Sequence, residues 1–179
     1  MTPEGISFVT RRVEEEKAAE FLASEDTWFR PNMLRTGPDG ALWIADMYRH
    51  VIEHPQWIPE DWQARLDLYA GSDKGRIYRV YRTGRRPGAL PRLEALSTSE
   101  LVSRLESANG PLRDIAQQLL VHRGDETAAP LLERMAVSSP SPPARLHALC
   151  TLDGLNRLEP DLLLGALDDP DPRVQTMVV

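Results

Sequence analysis

Every aromatic residue of this 179-residue chain lies before residue 82. The four Trp, four Tyr and three Phe fall between Phe8 and Tyr81, and the stretch from Leu90 to Leu167 is dense in Leu instead. Aromatic and β-branched side chains fit a pleated, half-buried surface, whereas Leu and Ala lose little freedom in a helix. One chain therefore carries two kinds of pattern, and a mixed fold of two segments is expected. The join, Thr83-Gly-Arg-Arg-Pro-Gly-Ala-Leu-Pro91, is rich in Gly and Pro and reads as a linker. These shifts predict a β segment over 1–83, a linker over 84–92 and a helical segment over 93–179.

Composition removes several function classes. A net charge of −6 argues against non-specific nucleic-acid binding. No run approaches the roughly 20 apolar residues of a membrane span. The start, Met1-Thr-Pro-Glu-Gly, has neither a basic region nor an apolar core, so no secretory signal is expected. Cys150 is the one cysteine, and Thr-Leu-Asp follows it. That excludes an internal disulfide, a Cys-rich zinc site and a Cys-x-x-Cys-His haem attachment.

In the first segment, Ile6 to Arg11 reads as a short strand, and Val13 to Ala23 as a helical turn or two with a solvated charged face. Gly37-Pro-Asp-Gly40 is a tight turn: Pro38 presets φ, Asp39 bonds its own backbone and Gly40 accepts positive φ. Leu42, Ile44 and Asp46 alternate with Ala41, Trp43 and Ala45, the period of a strand, and Asn32 to Thr36 is its hairpin partner. Arg76 to Arg82 is a second strand. The 29-residue connection between Asp46 and Arg76 is long enough to carry function, and Glu60 to Leu66 reads as a short helix inside it.

Trp28-Phe-Arg-Pro31, Gly37 to Arg49, Val51-Ile-Glu-His-Pro55 and Gly75-Arg-Ile-Tyr-Arg-Val80, in that order, resemble the last part of a bacterial β-propeller. The family is the planctomycete-type membrane-bound dehydrogenase group, which is similar to the soluble quinoprotein glucose (and sorbosone) dehydrogenases. The resemblance covers roughly residues 5–82. It implies a partial β-propeller of about one blade with a long insertion.

In the second segment, Pro111-Leu-Arg113, Pro143-Ala-Arg145 and Pro172-Arg173 recur. Each is preceded by a Leu-periodic helix: Leu101/Leu105, Leu131/Leu132/Met135 and Leu162/Leu163/Ala166/Leu167. Aligning the arginines gives spacings of 32 and 28, and paired helices near a period of 30 predict an α-α solenoid. Asp168-Asp-Pro-Asp-Pro-Arg-Val-Gln175 resembles the turn of a HEAT repeat. The dehydrogenase group places HEAT-like repeats after its propeller, so the resemblance implies a HEAT-like α-solenoid truncated at its C-terminal end.

The polar cluster Asp46, Tyr48, Arg49, His50, Glu53 and His54 is the candidate substrate- or cofactor-binding site. Asp46 ends a strand, Arg49 suits an anionic group, and His50 and His54 at i, i+4 would share a helix face, a geometry open to metal binding. The alternative reading pairs Asp46 with Arg49 and leaves both histidines bonded to backbone. Trp28, Phe29, Trp43, Trp57 and Trp62 suit either stacking or packing, and Cys150 is expected to be buried and inert.

No residue matches the catalytic His of the quinoprotein dehydrogenases, which lies in an earlier blade. Pyrroloquinoline quinone, calcium and haem c are implied for the full-length parent and not for this chain. The parent family is periplasmic or extracytoplasmic. The expectation is a fragment of a sugar- or alcohol-oxidising dehydrogenase-like protein, inactive alone. The alternative is a protein–protein interaction module, docking a partner through the HEAT-like repeats with the β segment as a cap.

Overall fold

The structure is a computed structural model that describes residues 2–4 and 7–177. Ile6, the first residue of the strand expected at its N-terminal end, lies outside the described residues. The chain divides into two compact units. Arg12–Gly88 is one, and Ala89–Val179 with Met1–Arg11 is the other.

Two short strands, β1 (Thr2–Glu4) and β2 (Ser7–Val9), pair antiparallel with each other. The sheet of the Arg12–Gly88 unit contains β3 (Pro31–Thr36), β4 (Leu42–Asp46) and β5 (Arg76–Val80), antiparallel in the order β3-β4-β5. The Gly37 to Gly40 turn joins β3 to β4. Its Gly37 N–H donates to Ala41 O (2.8 Å), and Gly40 has φ of +80°. Asp39 locks the turn by accepting from Ala41 N–H and Trp43 Nε1 and by pairing with Arg79 of β5. Leu34, Ile44 and Tyr78 lie in register across the three strands. Along β4, Ile44 and Asp46 are buried while Leu42, Trp43 and Ala45 are half-buried, so the period of two holds from Trp43 onward and not at Leu42.

The partial propeller is not formed. A blade has four strands, and this sheet has three. The strand expected near residue 6 does not add to the edge of β3, because Ser7–Val9 pairs with Thr2–Glu4 in a separate sheet. Residues 10–30 supply only a 3-10 turn, Glu14–Glu16, between β2 and β3. The physical reason is general. Alternation and turn chemistry specify a strand and its hairpin partner, but nothing local to them counts the strands in a sheet.

Inside the long connection, a 3-10 turn (Pro55–Trp57) and a one-turn helix α1 (Glu60–Gln63) occur. The other helices belong to the second unit: α2 (Thr98–Arg104), α3 (Gly110–Arg123), α4 (Ala129–Ser138), α5 (Pro142–Gly154), α6 (Pro160–Ala166) and α7 (Pro172–Met177). Here α2 packs on α3 and α4 on α5, while α3, α5 and α7 pack in succession. Leu101, Leu105, Leu120, Leu132 and Leu152 are fully buried between them. Each contributes roughly 2 kcal/mol of burial. Ser97 starts α2 with a complete capping box, its side chain on Glu100 N–H and the Glu100 carboxylate on Ser97 N–H.

Three hydrogen bonds recur at the start of α3, α5 and α7. Ser107, Ser139 and Asp169 accept from the N–H two residues on. Asn109, Ser141 and Asp171 then cap the helix. Arg113, Arg145 and Gln175 reach back to the carbonyls of Ser107, Ser139 and Asp169 at 2.6, 2.8 and 2.7 Å. The third member of the series is therefore Gln175 and not Arg173, and the spacings are 32 and 30. A two-residue slip turns a helical side chain by about 200°. Arg173 accordingly points elsewhere, holding both oxygens of Asp171 at 2.9 and 2.6 Å.

Arg145 also grips both oxygens of Asp169, at 2.7 and 2.6 Å, with both side chains over nine-tenths buried. In the preceding repeat the position that corresponds to Asp169 is Ser139, which donates to Glu106 (3.0 Å), and Arg113 Nε is buried without a partner. Among the described residues, no helix is long and apolar enough to cross a membrane.

Candidate functional site

The end of β4 gathers three loops. Asp46 is 2% exposed, and its Oδ1 accepts from the N–H groups of Arg30 (2.8 Å) and Tyr48 (2.9 Å). It thus ties the segment before β3 to the segment after β4. Its second oxygen, Oδ2, is buried with no hydrogen-bond partner. Tyr48 follows with φ of +49°, a left-handed conformation that Asp46 holds through the Tyr48 N–H.

Tyr48 is the hub of this site. Its hydroxyl donates to Asp26 Oδ2 (2.8 Å), and the Arg76 guanidinium lies 3.8 Å from its ring centroid. Trp28 packs against it at 5.8 Å and against His50 at 5.5 Å, both tilted. The hydrogen bond to Asp26 raises the Tyr48 pKa, because ionising the phenol would place two anions together. The Asp26 carboxyl lies below its ordinary value, chiefly from the Trp28 N–H and then from Tyr48. Gly71, at φ +81°, permits the third loop to close in. A Cβ there would stand 2.3 Å from Tyr48 O.

The remaining candidates disperse. Arg49 donates through Nη2 to Leu68 O (2.8 Å), and its Nε is buried without a partner. Asp46 and Arg49 form no ion pair among the described residues. Residues 47–54 are not helical, so His50 and His54 share no helix face. His50 stacks on Trp28 instead, and His54 caps the Pro55–Trp57 turn by accepting from Gln56 N–H (3.2 Å). Glu53 is exposed and accepts from the neighbouring Ile52 N–H. No group of three His, Cys, Asp or Glu side chains able to hold a metal ion occurs among the described residues.

The sequence pointed to Asp46 and Tyr48 but not to Asp26, Arg76 or Gly71. Asp26 and Arg76 lie 22 and 28 residues from Tyr48 and meet it only through the sheet. The signal available for Gly71 was weak, a lone Gly in a long connection. Chemically, the arrangement is a phenol hydrogen-bonded to a carboxylate, with a guanidinium over its ring face, the Trp28 indole beside it and the buried Asp46 oxygen nearby.

The helical unit offers a second place. A groove of about 700 Å³ runs between α3 and α5, lined by Ile115, Gln118, Leu119, His122, Cys150 and Asp153 among others. Cys150 is a half-buried free thiol whose pKa is pushed up by burial, which disfavours the nucleophilic thiolate. His147, beside the groove, is held by Gln117 (2.6 Å). Burial, then the charge of Arg113, lowers its pKa.

Fold and site together define a small antiparallel-sheet unit joined in sequence to a stack of helix pairs. Residues 1–84 match the family model described as a domain of unknown function, DUF7133. No curated protein and no solved structure matches the chain.

Proposed function

We propose that the chain is a docking scaffold of a dehydrogenase-like protein, in which the helical unit is a HEAT-like solenoid that binds a protein partner. The carrying observation is the threefold recurrence of carbonyl-to-side-chain bonds at Arg113, Arg145 and Gln175. Repeats in register stack their second helices side by side, and such stacks present an extended surface. The α3–α5 groove supplies that surface with apolar and amide side chains. The sugar- or alcohol-oxidising kinship rests on the ordered motifs of the first segment alone, and fold does not fix chemistry.

The test has two arms. Dye-linked oxidation of sugars and alcohols by this chain, with and without pyrroloquinoline quinone and calcium, is expected to show no turnover. Robust turnover would overturn the docking reading. Cross-linking with mass spectrometry is expected to place a captured partner on α3 and α5, and Gln118→Arg with Cys150→Arg to abolish it. Capture unaffected by both changes would equally overturn it.

A further inference from the structure

Two exposed patches of opposite charge remain in the Arg12–Gly88 unit, and neither has a role in the proposal above. The first is a turn of arginines. Arg85 N–H donates to Arg82 O (2.9 Å) and Gly84 takes φ of +78°, so Arg82, Arg85 and Arg86 share one tight bend. All three are exposed, and none forms an ion pair among the described residues. From Gly75 to Leu93 the chain has six arginines and no acidic residue, against a net charge of −6 overall.

The second patch is the segment from Glu53 to Trp62. Glu53, Glu60 and Asp61 are exposed and without ion pairs among the described residues, and no Lys or Arg occurs between Arg49 and Arg65. Trp57 is 76% exposed and Trp62 57%. They do not sit on loose coil. Gln63 Nε2 donates to the carbonyls of Pro55 (2.9 Å) and Ile58 (2.7 Å) and so fastens the segment between them. Exposed indoles on a fastened backbone are characteristic of binding surfaces, because Trp offers a large contact area at a small cost in side-chain freedom.

Each patch supplies what the other lacks. Guanidinium groups bind carboxylates through a two-pronged fork and stack on indole faces. Yet the two patches do not meet within the molecule. The unit's cation–π contacts are Arg76 on Tyr48 and Arg79 on Trp43, and its ion pairs involve neither patch. We propose that a second copy of this chain supplies the complement: the arginine turn Arg82/Arg85/Arg86 of one molecule docks on the Trp57/Glu60/Asp61/Trp62 segment of another. The run Glu14–Glu16 is a poorer seat. It has carboxylates without a neighbouring indole, and Glu14 is engaged by Lys17 at 2.5 Å.

The contact is between exposed charges and is screened by salt. Sedimentation velocity of the whole chain is expected to show self-association at low ionic strength that fades at high ionic strength. Arg85→Glu with Arg86→Glu, or Glu60→Arg with Asp61→Arg, is expected to weaken it by about tenfold. Far-UV circular dichroism serves as the control for folding. Mixing the two reversed variants is expected to restore association, because each then carries the charge the other lost. Glu15→Arg with Glu16→Arg is expected to leave association unchanged. A chain monomeric at every ionic strength would overturn the proposal. So would association that ignores both reversals, which would point to the bare edge of β3, or reversed variants that do not recognise each other.

Discussion

In the helical unit the apolar side chains close on one another, whereas in the sheet unit most of them do not. Leu101, Leu105, Leu120, Leu132 and Leu152 are fully buried between helices. Among the described residues of the Arg12–Gly88 unit, the buried hydrophobics are Ala41, Ile44 and Val51, while Met33, Leu34, Trp57, Trp62, Tyr69 and Ile77 stay exposed. Every residue of β3 is exposed, and both β3 and β5 are edge strands. The difference comes from geometry. A helix pair buries its apolar stripe on the next pair along the chain, so sequence neighbours suffice. A three-stranded sheet has two faces and two open edges, and one hairpin with a single returning strand cannot cover them all.

Four experiments break or sharpen that contrast. The largest effect is expected at Asp169. Asp169→Asn removes one partner of a buried ion pair and leaves Arg145 charged, at a cost of about 3–5 kcal/mol. Urea denaturation followed by helical circular dichroism reads this directly. A loss under about 1 kcal/mol would mean that water already solvates the pair. Next, Leu132→Ala and Ile44→Ala compare the two cores, each costing about 2–5 kcal/mol where packing is closed. Hydrogen exchange is expected to show Ile44→Ala opening the sheet while protection persists in α3 and α5. Simultaneous opening of both units would erase the contrast.

A smaller effect belongs to the capping box. Ser97→Ala is expected to cost about 1 kcal/mol and to fray α2 first, seen as faster exchange in its first turn. The smallest is the acid response. The Arg173 guanidinium, by hydrogen bonding, brings the Asp171 carboxyl down to about 2. A carboxylate with a depressed folded pKa stabilises the fold above its unfolded value, near 3.8, and loses that contribution as pH falls through about 2. Asp169 is depressed in the same direction, first by Arg145. The urea midpoint of the helical unit is therefore expected to fall between pH 4 and pH 2, with a shallower fall in Asp171→Asn. An identical slope in that variant would remove Asp171 from the account.

Local chemistry is what reads out of this sequence without a structure. The Gly37 to Gly40 turn, its hairpin and the alternation that buries Ile44 and Asp46 are all written within fifteen residues, because turn torsions and strand period are short-range properties. The Leu-periodic helices and their recurrence near thirty residues are equally legible, since each repeat carries its own Pro and cap. The register of the third repeat is not. Arg173 aligns with Arg113 and Arg145 by type, but hydrogen bonding assigns the place to Gln175. Proline is tolerated at more than one position of a helix's first turn, so letters alone permit the slip. The same holds at the candidate site, where His50 and His54 have helical spacing on a segment that Asp46 and Trp28 hold in a non-helical course.

The amino-acid order by itself determined that the chain has a β half and a helical half, that Gly37 to Gly40 turns β3 into β4, and that Leu-periodic helices recur near thirty residues. Only the tertiary structure decided that the sheet stops at three strands, that Tyr48 joins Asp26 to Arg76, and that Arg145 rather than Arg113 finds a carboxylate. Backbone torsions and side-chain period are fixed by neighbours along the chain. Strand count, ion-pair partners and loop closure depend on which distant segments arrive beside them, and that is set by the competition of all such contacts for the same space.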